Sequence, residues 1–160
     1  MKKLVYILLP ILLWSCEKVK ENETQKIAER FFKTYSERKE LEKMVSFYSN
    51  VFQYENVNFE SDANDVRFLY QELYGWNDKN MVYPGESILV EQILSNDSTI
   101  VAKGTTMPYY YNGKEVNGTR FVIWLELDKD KKIVRQTDWF NYPMNEIIEA
   151  YQLKNSMNIK

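Results

Sequence analysis

No histidine occurs among the 160 residues, so the side chain that most often moves a proton near neutral pH is missing. Histidine-based triads and histidine metal sites are excluded with it. A single cysteine, Cys16, excludes an internal disulfide. A carboxylate can exchange protons near neutrality only where burial raises its pKa, and the pattern offers one such place. Phe121, Ile123, Leu125 and Leu127 are apolar at alternate positions, so one side of this strand faces an interior. An even-numbered turn across Asp128–Lys131 then pairs Phe121 with Asp138 and Ile123 with Gln136. Asp138 and Gln136 enter the same interior, among Phe140 and Phe31. The placement also suits a carboxylate held by a pocket tyrosine and doing no chemistry. A slip of one residue would turn Asp138 outward.

The elements that must position these residues centre on Ser98–Tyr142. β-Branched and aromatic runs there are broken by Asn112-Gly113, Asn117-Gly118 and Asp128-Lys129-Asp130, which predicts three antiparallel strands. They cover Thr99–Thr106, Thr119–Leu127 and Ile133–Tyr142, with Pro108–Asn117 as a long hairpin end. Ile88–Leu94 adds a further strand. Upstream, Thr24–Ser36 reads as a helix whose stripe is Ile27, Phe31 and Tyr35, widened by Phe32. A short helix follows over Glu40–Tyr48, and Val51–Phe59 alternates like a strand. Ser61–Tyr74 reads as a third helix, capped by Ser61 or Asp62, buried through Val66, Leu69, Tyr70 and Leu73, and ended by Gly75. Pro143 opens a final helix, Met144–Leu153. Helices first and strands mostly after predict an α+β fold, with helices on one face of a curved antiparallel sheet.

Net charge is −2, too balanced for a nucleic-acid surface. No Walker loop and no Gly-x-Gly-x-x-Gly is present, and neither a cofactor nor a metal is expected. Aromatic residues make up 15%, 12 of them tyrosines, enough for a core plus an aromatic-lined cavity or interface. At the N-terminus, Lys2 and Lys3 precede an apolar run, Leu4–Leu13, that is short for a bilayer span. The run ends Leu13-Trp14-Ser15-Cys16, which resembles a bacterial lipobox with a bulky Trp14. The resemblance implies a lipoprotein signal over residues 1–16 and diacylglycerol on the Cys16 thiol. Acyl chains contribute about 0.8 kcal/mol per buried CH₂, so several hold a protein firmly to a membrane. Residues 17–23 then form a polar tether, and residues 24–155 a domain held at the cell envelope, facing the periplasm or exterior. A plain secretory signal or a short anchor helix is the alternative.

Three stretches of the domain resemble the NTF2-like superfamily, the cystatin-like cone shared by ketosteroid isomerases and SnoaL-type polyketide cyclases. They are Arg30-Phe31-Phe32 with Leu41 through Asn50, Asp65-Val66-Arg67-Phe68-Leu69-Tyr70, and Lys132-Ile133-Val134-Arg135 running to Asn141-Tyr142. Together they span most of residues 24–142. The isomerase roles carry over badly. The general-base position falls at or beside Asn56, whose amide cannot abstract a proton at neutral pH. The oxyanion tyrosine falls near Phe31 and the second oxyanion acid at Ile123, with Glu55 and Tyr35 as the neighbours that could rescue two roles. Cyclases of the SnoaL type use one late aspartate as acid–base, and Asp138 is the match. The cone thus predicts a ligand site of Phe31, Tyr35, Asn56, Phe121, Ile123, Gln136 and Phe140 around Asp138.

On the opposite side of the same strands the expected pairs are Arg120–Trp139 and Trp124–Arg135. Exposed tryptophans suggest a covered surface, and in resembling proteins the convex face commonly forms a dimer. Open cation–π ladders on a monomer are the alternative. Tyr109, Tyr110 and Tyr111 read as a hairpin rim or lid, Trp76 and Tyr83 as the pocket mouth, and Ser36–Glu40 as a solvated helix end. Three functions stay open: binding of a small, partly apolar molecule in the cone, SnoaL-like proton transfer by Asp138, and an interaction module without a ligand.

Overall fold

The stripe Ile27, Phe31, Tyr35 is buried along helix α1, Glu23–Glu37, together with Ala28 and Phe32. In the computed structural model, which describes residues 23–58, 61–144, 148 and 152, α1 lies against β4 (Ile88–Ser95) and β5 (Thr99–Thr106). Phe31 is fully buried and meets Phe32, Phe47 and Tyr48 edge-on, with ring centroids 4.9–6.1 Å apart. Truncating such a residue to alanine costs about 3–5 kcal/mol. Hydrogen bonds anchor the end of the helix to the sheet: Ser36 Oγ donates to Ile88 O and Ser87 Oγ to Tyr35 O. Residues 1–22, and with them the signal, Cys16 and most of the tether, lie outside the described residues, as does most of the expected final helix. Among the described residues no helix is long and apolar enough to cross a membrane.

After α2 (Leu41–Val45) come β1 (Tyr48–Asn56) and β2 (Ser61–Ala63), which pair with each other. The third helix is therefore much shorter than the sequence suggests. Its first residues are taken by the β1–β2 ladder, and the cap is Asp65, whose carboxylate accepts from the amides of Arg67 and Phe68. Helix α3, Val66–Phe68, runs straight into a π-helical turn, Leu69–Leu73, in which Tyr74 N reaches back to Leu69 O. Val66, Leu69 and Tyr70 are buried as expected, whereas the wider turn leaves Leu73 exposed. Gly75, at φ +58°, ends it.

The main sheet has the order β2-β1-β9-β8-β5-β4, where β8 is Arg120–Leu127 and β9 is Ile133–Phe140. The three expected strands of Ser98–Tyr142 are its adjacent inner members. The sheet is mixed rather than wholly antiparallel, because β1 runs parallel to β9. A parallel pair needs a long crossover, and nearly the whole domain intervenes between these two strands. The β8–β9 register also differs from expectation: Ile123 pairs with Asp138, Leu125 with Gln136 and Phe121 with Phe140. On the outer side Val122 pairs with Trp139, Trp124 with Thr137 and Glu126 with Arg135. The loop closes one residue longer than an even turn, and a bulge at Val134 restores parity, so the side chains from Arg135 onward keep their expected faces while Ile133 turns inward opposite Leu127.

A second sheet joins β3 (Met81–Val82) to the hairpin of β6 (Tyr109–Tyr111) and β7 (Lys114–Val116). Asn112 and Gly113, at φ +51° and +77°, make its two-residue turn.

Candidate functional site

Asp138 is fully buried on β9, facing the interior as the alternation requires. It is not alone there. Tyr74 Oη donates to Asp138 Oδ2, and Gln136 Nε2 lies 3.1 Å from each carboxylate oxygen. Gln136 Oε1 in turn accepts from Tyr48 Oη. Because Tyr48 spends its one proton on Gln136, Tyr70 Oη, 2.5 Å from Tyr48 Oη, must be the donor of that contact. The result is a directed chain, Tyr70 to Tyr48 to Gln136 to Asp138, met from the other side by Tyr74. Tyr54 Oη stands 3.4 Å from Tyr74 Oη. Burial pushes the Asp138 carboxyl up to about 7, while bonds from Tyr74, Gln136 and Tyr54 pull the other way. Burial likewise holds the hydroxyls of Tyr35, Tyr48, Tyr70 and Tyr74 well above the usual phenol range, and the Asp138 charge adds to this. These tyrosines stay neutral donors at any physiological pH.

The cavity is elsewhere. About 200 Å³ opens at the mouth of the cone, between the end of α1, the loop after the π-turn, the hairpin and the last residues of β9. Its walls include Tyr35, Arg38, Leu73, Tyr74, Met81, Tyr83, Tyr109, Phe140 and Tyr142, with polar groups from Ser87, Thr106, Asn117 and Thr119. Of the site expected from sequence, Tyr35 and Phe140 line it. Asp138 and Gln136 lie behind Tyr74, whose ring is part of the wall while its hydroxyl is turned inward. Phe31 and Ile123 are fully buried in the core. Asn56 is buried at the edge of β1, accepting from Asn58 N, and Phe121 packs against Phe140 on a shallow outer groove. The six that do not line the cavity were expected around one central hollow. That hollow is filled by the tyrosine network and by Ile123 and Leu125.

Tyr83, expected at the mouth from its place after the third helix, lines it, and the hairpin contributes Tyr109 and Val116 to the rim. Trp76 does not: it is buried against Tyr35 and Tyr70. The Ser36–Glu40 stretch is not wholly a solvated helix end either, because Arg38 turns into the cavity wall. Arg38, Tyr48, Tyr54, Tyr70 and Tyr74 are among the site residues that sequence reasoning missed. The i, i+4 spacing of Tyr70 and Tyr74 was the available signal for two of them. Among the described residues no three acidic or cysteine side chains come together to hold a metal.

No protein-family profile matches the sequence, and no curated protein matches it. Solved structures do match. An NTF2-like protein from Burkholderia thailandensis aligns over 74% of this chain and 90% of its own, at 13% identity and TM-score 0.60. An LEH-like epoxide hydrolase of M. tuberculosis aligns over 84% and 96%, at 16% identity and TM-score 0.60. TerC, crystallised with polyporic acid, aligns over 79% and 98%, at 15% identity and TM-score 0.59. Further neighbours are ketosteroid-isomerase-like and SnoaL-like. The chain has the NTF2-like α+β fold, a cone of helices on a curved sheet.

Proposed function

We propose that this chain is a membrane-anchored lipoprotein whose NTF2-like domain binds a small, partly apolar molecule at the mouth of its cone. The observation that carries the binding reading is the cavity of about 200 Å³, walled in part by aromatic rings and lying over a hydrogen-bonded network around Asp138. An engineered apolar cavity of about 150 Å³ holds benzene, so the space suits a ring-sized ligand. One structural neighbour was crystallised with an organic acid, polyporic acid, which agrees with a ligand in this type of cone. Anchoring rests on Leu13-Trp14-Ser15-Cys16 and places the domain at the cell envelope, facing the periplasm or exterior.

The test is a thermal-shift screen of small metabolites on the full chain in mild detergent, repeated with Val116→Trp, which fills the mouth from the hairpin. Stabilising compounds in the wild type that lose their effect in the variant support the reading. A screen in which hits act equally on both proteins overturns it.

A second reading has its own observation. Tyr74 stands between the cavity and a carboxyl whose pKa is raised to about 7 by burial, which suits proton transfer with Asp138 acting through the Tyr74 hydroxyl. Turnover of a bound compound that is lost in Tyr74→Phe while binding persists would favour it. For the convex face, Trp124 and Trp139 remain about 40% and 38% exposed, and a homodimer through them is part of the proposal.

A further inference from the structure

Arg38 occupies a costly backbone position. It follows the last turn of α1 at φ +50°, the left-handed region where glycine or asparagine is the usual occupant, and where other residues lose about 1–2 kcal/mol. The side chain kept at that expense is held with care. Arg38 Nη2 donates to Tyr74 O and to Gly75 O, both at 2.8 Å. The guanidinium lies 5.1 Å from the ring centres of both Trp76 and Tyr83. All of its hydrogen bonds among the described residues go through Nη2, so Nε and Nη1 keep donors to offer. Among the described residues no carboxylate lies within ion-pair distance of it, while Lys43 pairs with Glu40, Arg67 with Glu42 and Arg135 with Glu55. Glu37 and Asp78 share a surface groove with it but lie beyond ion-pair distance. Asp138, the buried acid nearest the site, is committed to Tyr74 and Gln136. A half-buried, unpaired cation thus stands in the wall of an aromatic cavity.

From this placement we infer that the mouth cavity takes a small aromatic carboxylate, its ring packed among Tyr35, Tyr83 and Phe140 and its carboxylate held by Arg38. The inference rests on the binding reading above and names the ligand class of that site. With the Nη2 hydrogens held by the two backbone carbonyls, Nη1 or Nε offers a carboxylate a single charge-assisted hydrogen bond, and Trp76 and Tyr83 keep the charge oriented before the ligand arrives. Asn117 adds a polar side chain to the lining of the same space. The volume fits one ring with a short substituent, and the acid could equally be a phenylacetate or a hydroxybenzoate in outline.

The experiment compares benzoate and 4-hydroxybenzoate with benzamide, by calorimetry on the full chain in nonionic detergent. The acids should bind at least ~10-fold more tightly than the amide, with affinity falling as salt rises. Arg38→Gln should erase the difference between acid and amide, and Arg38→Lys should keep part of it. Should Arg38→Gln fail to fold by circular dichroism, the wild-type acid-to-amide ratio and the Arg38→Lys variant still decide. Equal binding of acid and amide, blocked by Val116→Trp, would overturn the carboxylate inference and leave the cavity reading standing. Binding that Val116→Trp does not touch would overturn both.

Discussion

Replacing Asp138 by asparagine probes the buried network through its dependence on pH. In the native protein the carboxyl is raised from its ordinary 3.8 to about 7, chiefly by burial. The folded state therefore keeps a proton that the unfolded chain has released. Its stabilising contribution is complete below about pH 4 and is lost as pH rises through about 7. The full rise corresponds to about 4 kcal/mol, at about 1.36 kcal/mol for each pH step in between. Asp138→Asn abolishes that dependence but places its Nδ2 against Gln136 Nε2, two donors facing each other, which costs about 1–3 kcal/mol. The variant should be the less stable protein at the acid end, draw level between about pH 4.5 and 6, and lead above that. The Glu42 carboxyl, lowered by its exposed bond to Arg67, works in the opposite sense, but it is present in both proteins and cancels in the difference. Urea unfolding followed by tryptophan fluorescence from pH 4.5 to 8.5 measures that difference. Two curves that run parallel over the whole range would mean that Asp138 ionises normally, and the description of a desolvated acid would be wrong.

Three other perturbations are as specific. Cys16→Ala should move the protein out of the detergent phase in phase-partition assays, and unchanged partitioning would remove the lipid anchor. A Cβ on Gly104 would meet Leu89 O at 2.2 Å and the Phe121 ring at 2.7 Å. Gly104→Ala should therefore lower the urea-derived stability by roughly 1–3 kcal/mol, and a neutral result would contradict the close approach of β4 and β5. Trp124→Glu with Trp139→Glu should convert a dimer to monomers in analytical ultracentrifugation, while a mass unchanged by the substitutions would take the convex face out of the assembly.

Much of the fold was legible because its periods are clean. The α1 stripe at Ile27, Phe31 and Tyr35 and the strict alternation of β8 each admit one buried face. Asn112-Gly113 admits little but a tight hairpin turn. Asp138 could be assigned to the interior because parity alone decides a face, even though the pairing moved by two residues. The bulge at Val134 left no mark in the sequence that distinguishes it from a shorter turn. The site was harder. Tyr74 reaches Asp138 through a π-turn, and a helix drawn with 3.6-residue periodicity buries Leu73 instead. Arg38 sits in a charged run that looks solvated, and only its left-handed backbone directs it to Tyr74 O and Gly75 O. Where the cavity lies depends on a hairpin folding over the end of α1, a contact between segments some 70 residues apart in sequence.

The account turns on whether a small molecule occupies the mouth of the cone. A crystal structure of the protein grown with 4-hydroxybenzoate, or with the strongest compound from the thermal-shift screen, addresses this directly. The ligand should lie among Tyr35, Tyr83 and Phe140, with its acidic group within hydrogen-bond distance of Arg38. Density confined to the outer sheet surface, or a mouth left empty at saturating ligand, would contradict it.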